Sequence, residues 1–388
     1  MRFYNQQHRF YCGVDLHSRS MYLCILDQAG NVVFDQNLEA SPAAFLNAVA
    51  PFRDDLDVAC ECLFCWYWLA DLCHQEGIAF VLGHALYMKA IHGGKAKSDQ
   101  IDAGKIARLL RGGTLPIAYV YPKGLRETRD LLRRRMYPVR KRAETVAHVQ
   151  TTNMQYNLPP FGKKLVYAAN RKQLDIGERF TDASVRQSVE IDLALIDHYD
   201  GLIGQVELYL VRQVKVDDGH TFHLLRTIPG VGKILALVLL YEIHDITRFE
   251  SEGAFLSYAR LVRPQKTSAG KVTGGGGSKI GNAHLKWAFS EAACLLARES
   301  EQAKRFLARK SAKHGKAKAL GILAARIGRT VYHMLRQRRA FDVKRFWNGE
   351  PAQAKSTTKK TTTKTKTKTQ TVAKKSSNRK GAGCVLEA

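Results

Sequence analysis

Short apolar runs alternate with polar turns along the first part of the chain. Two β-rich runs, at residues 10–14 and 21–26, flank one polar turn, and a third run at 32–34 follows a second turn around Gly30. This pattern predicts a β-meander of roughly three strands at the start of the chain.

Helical and extended patterns then alternate. Helical spacing is found at residues 41–52, where Ser41 is suited to cap the helix, and at 66–76 and 97–110. The runs at 57–62 and 78–82 are typical of strands. Strands followed by alternating helices and strands predict an α/β fold with one mixed sheet over residues 8–120.

The next segment, residues 121–216, has the pattern of long helices. Residues 125–152 are helical in spacing, and Pro138 is expected to kink that helix. Farther on, apolar residues fall three, four or seven positions apart, which predicts a long helix with a coiled-coil seam. The seam residues are Val189, Leu193, Ile196, Ile203, Val206 and Leu210. Antiparallel packing within the chain and exchange with a second copy both remain open.

A third, mainly α-helical unit is expected over residues 217–347, after a polar break at 217–220. Helices are predicted at 291–298 and 318–346, and a glycine-rich loop is predicted at 266–281. The tail at 348–388 is rich in Lys and Thr and poor in apolar residues, so it is predicted to be disordered.

The charge of the chain indicates a polyanionic partner. Sixty-one Lys and Arg stand against 35 Asp and Glu, giving a formal net charge of +26. Such a surplus favours nucleic acid, because basic side chains displace the counterions of phosphates. An anionic membrane surface is the competing partner, but no amphipathic basic helix or lipidation signal stands out, so nucleic acid is preferred. Because there is no apolar run of about 18 residues and no signal core, no membrane span is expected either.

Most of the eight cysteines lie in apolar segments, as reduced core thiols do. Cys60, Cys62 and Cys65 also invite interpretation as zinc ligands. Because no second pair of matching spacing follows, buried thiols are the preferred interpretation.

Four acidic residues form the main candidate for chemistry. Asp15 ends the first strand, Glu61 lies within an apolar strand, and Asp99 and Asp102 are three residues apart on one helix. An acid in an apolar strand is costly without a cation, and four carboxylates at one sheet edge would repel one another unless divalent metal neutralised them. Mg²⁺ or Mn²⁺ suits such oxygen ligands and the hydrolysis or transfer of phosphodiesters. Each acid taken alone is more often a turn, cap or solvated residue.

Two further segments suggest contact with nucleic acid or a covalent step. The turn at residues 228–233 has the sequence of a helix-hairpin-helix element, in which Gly230, Gly232 and Lys233 would contact a phosphate backbone, although a purely structural turn is the alternative. Ser268 lies in a basic glycine-rich loop. A serine there could act as a nucleophile, but most loop serines are simply solvated.

In combination, these segments closely resemble the insertion sequence 110 family of transposases over about residues 10–345. The resemblance is carried by GVDLH at Asp15, the apolar strand at Glu61, KSDQIDAGKIARLL around Asp99 and Asp102, IPGVG at 228–232 and SKIGNAHLKWAFSEAA at 278–293. It implies an RNase H-like (RuvC-like) domain at 8–120 whose metal-binding catalytic tetrad is formed by those four acids.

The resemblance also implies a nucleophilic serine that links transiently to DNA, and Ser268 matches its position. The family often has Ser-Gly there, whereas this chain has Ser-Ala-Gly, so Thr267 and Ser278 are the alternatives. A structured non-coding bridge RNA that pairs with donor and target DNA, and a dimer or tetramer with shared active sites, are further implications. The seam at 189–210 would then be a dimer contact, with packing inside the chain as the alternative.

These inferences predict a transposase or site-specific DNA recombinase of an insertion sequence, acting in the bacterial cytoplasm near the nucleoid. A structure-selective nuclease that uses water, and a non-catalytic nucleic-acid-binding protein, are the alternatives. The residues expected to contact nucleic acid, for some of which a solvated surface is the alternative, are Arg126, Arg129, Arg133, Arg134, Arg140, Lys141, Gly230, Gly232, Lys233, Lys271 and Lys279.

Overall fold

The computed structural model describes residues 2–91, 98–262, 266–274 and 280–347. The whole tail at 348–388, which is predicted to be disordered, lies outside the described residues. So does residue 97, the first residue of the helix predicted at 97–110. The strands of the described part are β1 (Phe3–Tyr4), β2 (Phe10–Leu16), β3 (Ser20–Asp27), β4 (Val32–Glu39), β5 (Leu56–Glu61), β6 (Ala79–Gly83), β7 (Leu115–Pro116), β8 (Lys266–Ser268) and β9 (Lys271–Gly274).

Helices make up most of the remainder. They are α1 (Pro42–Val49), α2 (Tyr67–Gln75), α3 (Ala85–Ile91), α4 (Asp99–Arg111), α5 (Leu125–Arg134), α6 (Met136–Gln155), α7 (Ala168–Arg171), α8 (Ala183–Arg226), α9 (Lys233–Ile243), α10 (Glu252–Tyr258), α11 (Ala283–Glu299), α12 (Glu301–His314), α13 (Lys316–Gln337) and α14 (Val343–Trp347).

The N-terminal part is a mixed α/β structure around a five-stranded sheet, as predicted. The strand order is β4-β3-β2-β5-β6. β2, β3 and β4 form the antiparallel meander, and β5 and β6 are parallel to β2. The buried core on one face of this sheet includes Val14, Leu23, Phe45, Val58 and Leu69.

Helix α4 packs against the other face of the sheet in unusually close contact with β2. A Cβ atom added to Gly13 would lie 2.2 Å from the carbonyl oxygen of Ala103 and 2.4 Å from the amide nitrogen of Ala107. Only glycine fits here, since a Cβ cannot approach backbone atoms so closely. The small residues Ala103 and Ala107 are fully buried at this contact. This packing places the first turn of α4 near the end of β2.

The predicted kink at Pro138 is realised as a break between two helices. α5 ends at Arg134 and α6 begins at Met136, so the interruption lies close to Arg134, four residues before the proline. This is the physical effect of proline, which cannot donate a hydrogen bond to the carbonyl of residue i−4 and clashes with it.

The long helices α6 and α8 pack antiparallel within the chain. Arg135 pairs with Glu207, Arg142 with Asp200 and His148 with Asp192, so residue numbers rise on one helix as they fall on the other.

Three of the seam residues of α8, namely Val189, Leu193 and Ile196, face this intramolecular contact. Val189 and Ile196 are fully buried in one cluster with Val149 of α6. The expectation that the seam forms a dimer contact is therefore wrong at these positions, because α6 of the same chain already covers them.

A different face of α8 carries exposed apolar residues. Leu195, Leu202, Tyr209 and Val216 follow one another at intervals of seven residues and are all exposed. We call these four residues the α8 stripe. The polar break predicted at 217–220 is a kink: Asp218 leaves helical geometry at φ −160° and ψ 75°, and its side chain accepts a hydrogen bond from the amide of Thr221.

The C-terminal part is mainly helical, and its centre is α9, in which every residue from Leu235 to Ile243 is buried. Sequence patterns missed α12 altogether. The helix predicted at 318–346 ends at Gln337, because Arg338 takes a left-handed conformation with φ 50°. The loop predicted at 266–281 contains the β8–β9 hairpin.

Residues 1–342 form one compact unit, and residues 343–347 form the short helix α14. The domain boundaries at residues 120, 216 and 347 remain a prediction. None of the helices in the described residues combines the length and apolar character that crossing a membrane requires.

Candidate active site

Three side chains from two distant parts of the chain meet at the end of β2. Nε2 of His17 lies 3.5 Å from Oδ2 of Asp15 and 3.6 Å from Oδ1 of Asp99. One ligand atom of each residue lies within 4.8 Å of the others. Within the described ranges, this is the one group of three or more His, Cys, Asp or Glu residues with spacing suited to a metal ion.

Glu61 lies beside Asp15 because of the strand register. β2 and β5 are parallel, and their last paired residues are Val14 and Cys60. Asp15 and Glu61 are the next residues on these neighbouring strands, so their side chains point to the same face of the sheet. Asp15 is 6% exposed, whereas Glu61 is partly exposed.

Asp99 and Asp102 occupy the first turn of α4. Ser98 caps this helix by accepting a hydrogen bond from the amide of Ile101. The positive end of the helix dipole stabilises carboxylates at these positions. Asp102 also pairs with Lys105, whose Nζ lies 3.0 Å from Oδ1.

The pKa of the Asp15 carboxyl is affected by burial and by the charges of its neighbours. Burial raises that pKa above its usual value, His17 opposes the rise, and the charges of Asp99 and Asp102 increase it further. Acids that disfavour one another's ionisation in this way become stable carboxylates when a cation lies between them.

His17 was not singled out from the sequence, although a signal was present. It follows Asp15 by two residues, and residues two apart in an extended segment point to the same side. An imidazole beside a candidate metal-binding acid could therefore have been proposed from the alternation alone.

Ser268 lies at the turn of a two-stranded hairpin. It pairs with Lys271 across the turn, and the two turn residues, Ala269 and Gly270, have φ values of 48° and 72°. Positive φ at both positions is typical of a tight two-residue hairpin. Ser268 is exposed, and in the described chain no hydrogen bond or ion pair joins it to Asp15, Asp99 or Asp102.

Family models match both the sheet and the C-terminal helices. Residues 12–156 match a DEDD transposase model of the IS110 group, described as Transposase. Residues 222–308 match a model described as Transposase IS116/IS110/IS902 family. The chain belongs to the IS110 family of transposases.

A curated relative supports the same assignment. This transposase is 25% identical over 299 residues to the protein named "Putative transposase y4qE" of Sinorhizobium fredii (strain NBRC 101917 / NGR234). The matched segment covers 73% of this chain and 70% of the relative. The family implies an enzyme that cuts and rejoins DNA and that uses divalent metal at its acidic domain.

Three of the arginines expected to contact nucleic acid point into the protein instead. Arg126 is 2% exposed, and its Nη2 lies 2.7 Å from Oδ2 of Asp71. Arg129 and Arg133 both bind the carboxylate of Glu242, which is itself 1% exposed. Their predicted contact with nucleic acid is not supported, because these guanidinium groups are engaged by buried or half-buried acids.

The other basic residues of this region remain accessible. Arg134 and Arg140 are exposed, and the guanidinium of Arg134 lies 4.4 Å from the ring centre of Tyr137. Lys141 is half-exposed and pairs with Glu144 at 2.7 Å. Their role in binding nucleic acid remains a prediction.

The glycine turn between α8 and α9 has two different surroundings. A Cβ on Gly230 would lie 2.6 Å from the amide nitrogen of Leu296, so this glycine is needed for packing against α11. Gly232 and Lys233 are exposed at the start of α9, where amides could meet a phosphate. Lys271 is exposed on the Ser268 hairpin, whereas Lys279 and Ser278 lie outside the described residues.

Proposed function

We propose that this transposase is a site-specific recombinase that cuts and rejoins the DNA of an insertion sequence at the acidic edge of its sheet. The observation that supports this most strongly is the meeting of Asp15 and Asp99 around His17, although these acids are far apart along the chain. A separate strand adds Glu61, and the same turn of α4 adds Asp102.

The acids suit a hard divalent cation. Carboxylate oxygens are the preferred ligands of Mg²⁺ and are also accepted by Mn²⁺. Asp15, Glu61, Asp99 and Asp102 would hold the ion, and the mutual repulsion felt by Asp15 is the feature that a cation would relieve. When bound, such an ion would stabilise charge on the reacting phosphate and its oxygens.

Ser268 is the proposed nucleophile. Its Oγ would form a bond to phosphorus as the bond to the departing DNA oxygen breaks, and the serine proton would end on that oxygen. A phosphoserine ester conserves the phosphoester bond, so a hydroxyl group of a second strand can reverse the step without ATP. The exposed position of Ser268 beside Lys271 supports this role.

An exposed serine that does not contact these acids is expected if active sites are shared between subunits. In that arrangement, the acids of one subunit would work with the serine of another. We propose a homo-oligomer, a dimer or tetramer, in which the α8 stripe is the contact. Apolar residues at seven-residue intervals are the pattern with which helices pair in coiled coils.

DNA, as donor and target, and a structured non-coding bridge RNA are the proposed nucleic-acid partners. The net charge of +26 and the exposed Arg134, Arg140 and Lys233 support this proposal. We also propose that the sheet domain is RNase H-like, which the mixed sheet with acids at its edge supports. The α8–α9 turn is proposed to be a helix-hairpin-helix element, which its end at Gly232, just before α9, supports.

Strand transfer by single variants tests the proposal. Asp15→Asn and Glu61→Gln should each abolish cutting and rejoining. Ser268→Ala should also eliminate the denaturation-resistant protein–DNA adduct that the wild-type chain forms, while Thr267→Ala, on the same hairpin, should retain it. Wild-type cutting by Ser268→Ala, with no adduct in any variant, would instead favour a nuclease that uses water.

A further inference from the structure

The turn that follows β5 holds an aromatic side chain in solvent at the acidic edge of the sheet. Phe64 is 79% exposed and is preceded by the exposed Leu63. Single exposed apolar residues are common on proteins, so exposure alone does not assign a role. The role of Phe64 is inferred instead from the anchoring of the turn and from the groups around it.

This turn is held at both ends by hydrogen bonds to the neighbouring strands, one from a backbone amide and one from a side chain. The amide of Cys62 donates to the carbonyl of Gly83 at the end of β6, at 2.9 Å. The thiol of Cys65 donates to the carbonyl of Leu16 at the end of β2, also at 2.9 Å. Trp66 then enters the core at 6% exposure. Phe64 is therefore presented outward by a fixed support.

This support lies among the candidate catalytic residues. Glu61 is three residues before Phe64, and Cys65 is bonded to the residue that follows Asp15. An aromatic ring and carboxylates thus share one corner of the molecule.

We propose that Phe64 stacks against a DNA base next to the phosphate that is cut. The proposal rests on the cutting site proposed above. Aromatic rings stack on unpaired bases of any sequence, and apolar side chains can also separate stacked base pairs as wedges. Stacking here would fix the strand so that its phosphate reaches the acids.

A nucleotide fits this corner better than a second protein surface does. An apolar protein partner covering Phe64 would have to strip water from the carboxylate of Glu61, which is costly for a charged group. A nucleotide offers a base to the ring and a phosphate to metal held by the carboxylates. The chemistry around the ring therefore favours DNA.

The test uses the full chain, the RNA transcribed from the non-coding flank of the element, and DNA duplexes that span the junction between element and flank. Each duplex carries one 2-aminopurine, whose fluorescence reports stacking, at successive positions across the junction. Binding is measured before metal is added. The wild-type chain should change the fluorescence at one or two adjacent positions.

Phe64→Trp should preserve that local change, whereas Phe64→Ala should abolish it and weaken binding about ten-fold, the size expected from losing one base–aromatic stack. Val32→Ala, which shortens an exposed apolar residue on β4, is the matched control and should behave as the wild type.

Three outcomes would overturn the proposal: no local change with the wild-type chain, the same change with Phe64→Ala, or a different oligomeric mass of Phe64→Ala without DNA. If Glu61→Gln and Ser268→Ala abolish cutting while Phe64→Ala gives the same fluorescence change as the wild type, only the stacking role fails. If Glu61→Gln cuts normally while Phe64→Ala loses the signal, stacking stands and the proposed cutting site fails.

Discussion

Glu242 and Arg133 form a two-pronged ion pair between α9 and α5. Nε and Nη2 of Arg133 donate to the two carboxylate oxygens at 2.6 and 2.8 Å. Arg129 and Asn282 add hydrogen bonds of 3.0 and 2.7 Å to the same carboxylate. Asn282 also caps α11, so one buried acid connects three helices around the base of the Ser268 segment.

Glu242→Gln should destabilise the protein at neutral pH more than in acid. Burial alone would raise the pKa of Glu242, but the hydrogen bond from Arg133 and the charges of Arg129 and Arg133 outweigh it and lower the pKa from 4.5 to about 2. The ionised form therefore adds stability above pH 4.5 that is lost as the pH falls toward 2. The contribution at pH 7 is about 3 kcal/mol.

Urea unfolding of wild type and Glu242→Gln at pH 7 and pH 3 measures this. The difference in free energy of unfolding should be smaller at pH 3. A difference that stays constant or widens in acid would show that Glu242 is not held in its ionised form.

Arg133→Ala and Arg134→Ala should separate stability from nucleic-acid binding. Losing Arg133 leaves Glu242 without its strongest partner and should cost about 3–5 kcal/mol of stability. Arg134 is exposed, so Arg134→Ala should leave the free energy of unfolding nearly unchanged but reduce the slope of log affinity against log salt by about one. Thermal melts and binding at several salt concentrations distinguish the two. Equal stability of both variants would contradict the structure.

Gly13→Ala should reduce cutting more than DNA binding. Its new Cβ would collide with the backbone of α4 and push the first turn of that helix, with Asp99 and Asp102, away from Asp15. A stability loss of about 1–3 kcal/mol is expected from overpacking, together with a cleavage rate at least about ten-fold lower, which corresponds to about 1.4 kcal/mol in the barrier. Gly201→Ala is the control, because a Cβ added at Gly201 would have no neighbouring atom within 4 Å. Normal cleavage by Gly13→Ala would argue against Asp99 and Asp102 acting beside Asp15.

Tyr209 and Leu210 are neighbours on α8 with opposite surroundings, 52% and 0% exposed. Leu210→Ala should cost about 2–5 kcal/mol of stability by creating a cavity. Tyr209→Ala should leave the fold intact but shift the oligomer toward smaller species, as measured by light scattering over a range of concentrations. An unchanged mass would remove the α8 stripe from the proposed interface.

The sheet could be predicted because its signals are local. Short apolar runs define β2 and β3, and acids at Asp15 and Glu61 in otherwise apolar strands indicated the site. Their meeting with Asp99 follows from the close packing of α4 on Gly13, which the sequence shows only as a glycine in a strand.

The partners of the arginines on α5 could not be predicted from the sequence. A helix rich in arginine has the same pattern whether it faces phosphates or a buried acid. Arg133 pairs with Glu242, which lies 109 residues later in the otherwise apolar stretch Leu235–Ile243 of α9. Glu242 inside that apolar helix was the available signal, and it has the same form as the signal that identified Glu61.

The segment that carries Ser268 begins and ends at nearly the same point. The amide of Asn282 donates to the carbonyl of Tyr258 at 2.6 Å, and Arg260 donates to the carbonyl of Ile280. A loop whose ends are already joined can gain or lose residues at a small entropic cost, since closure depends only weakly on length. Evolution could therefore vary the reach of this serine while the helices that flank it keep their arrangement.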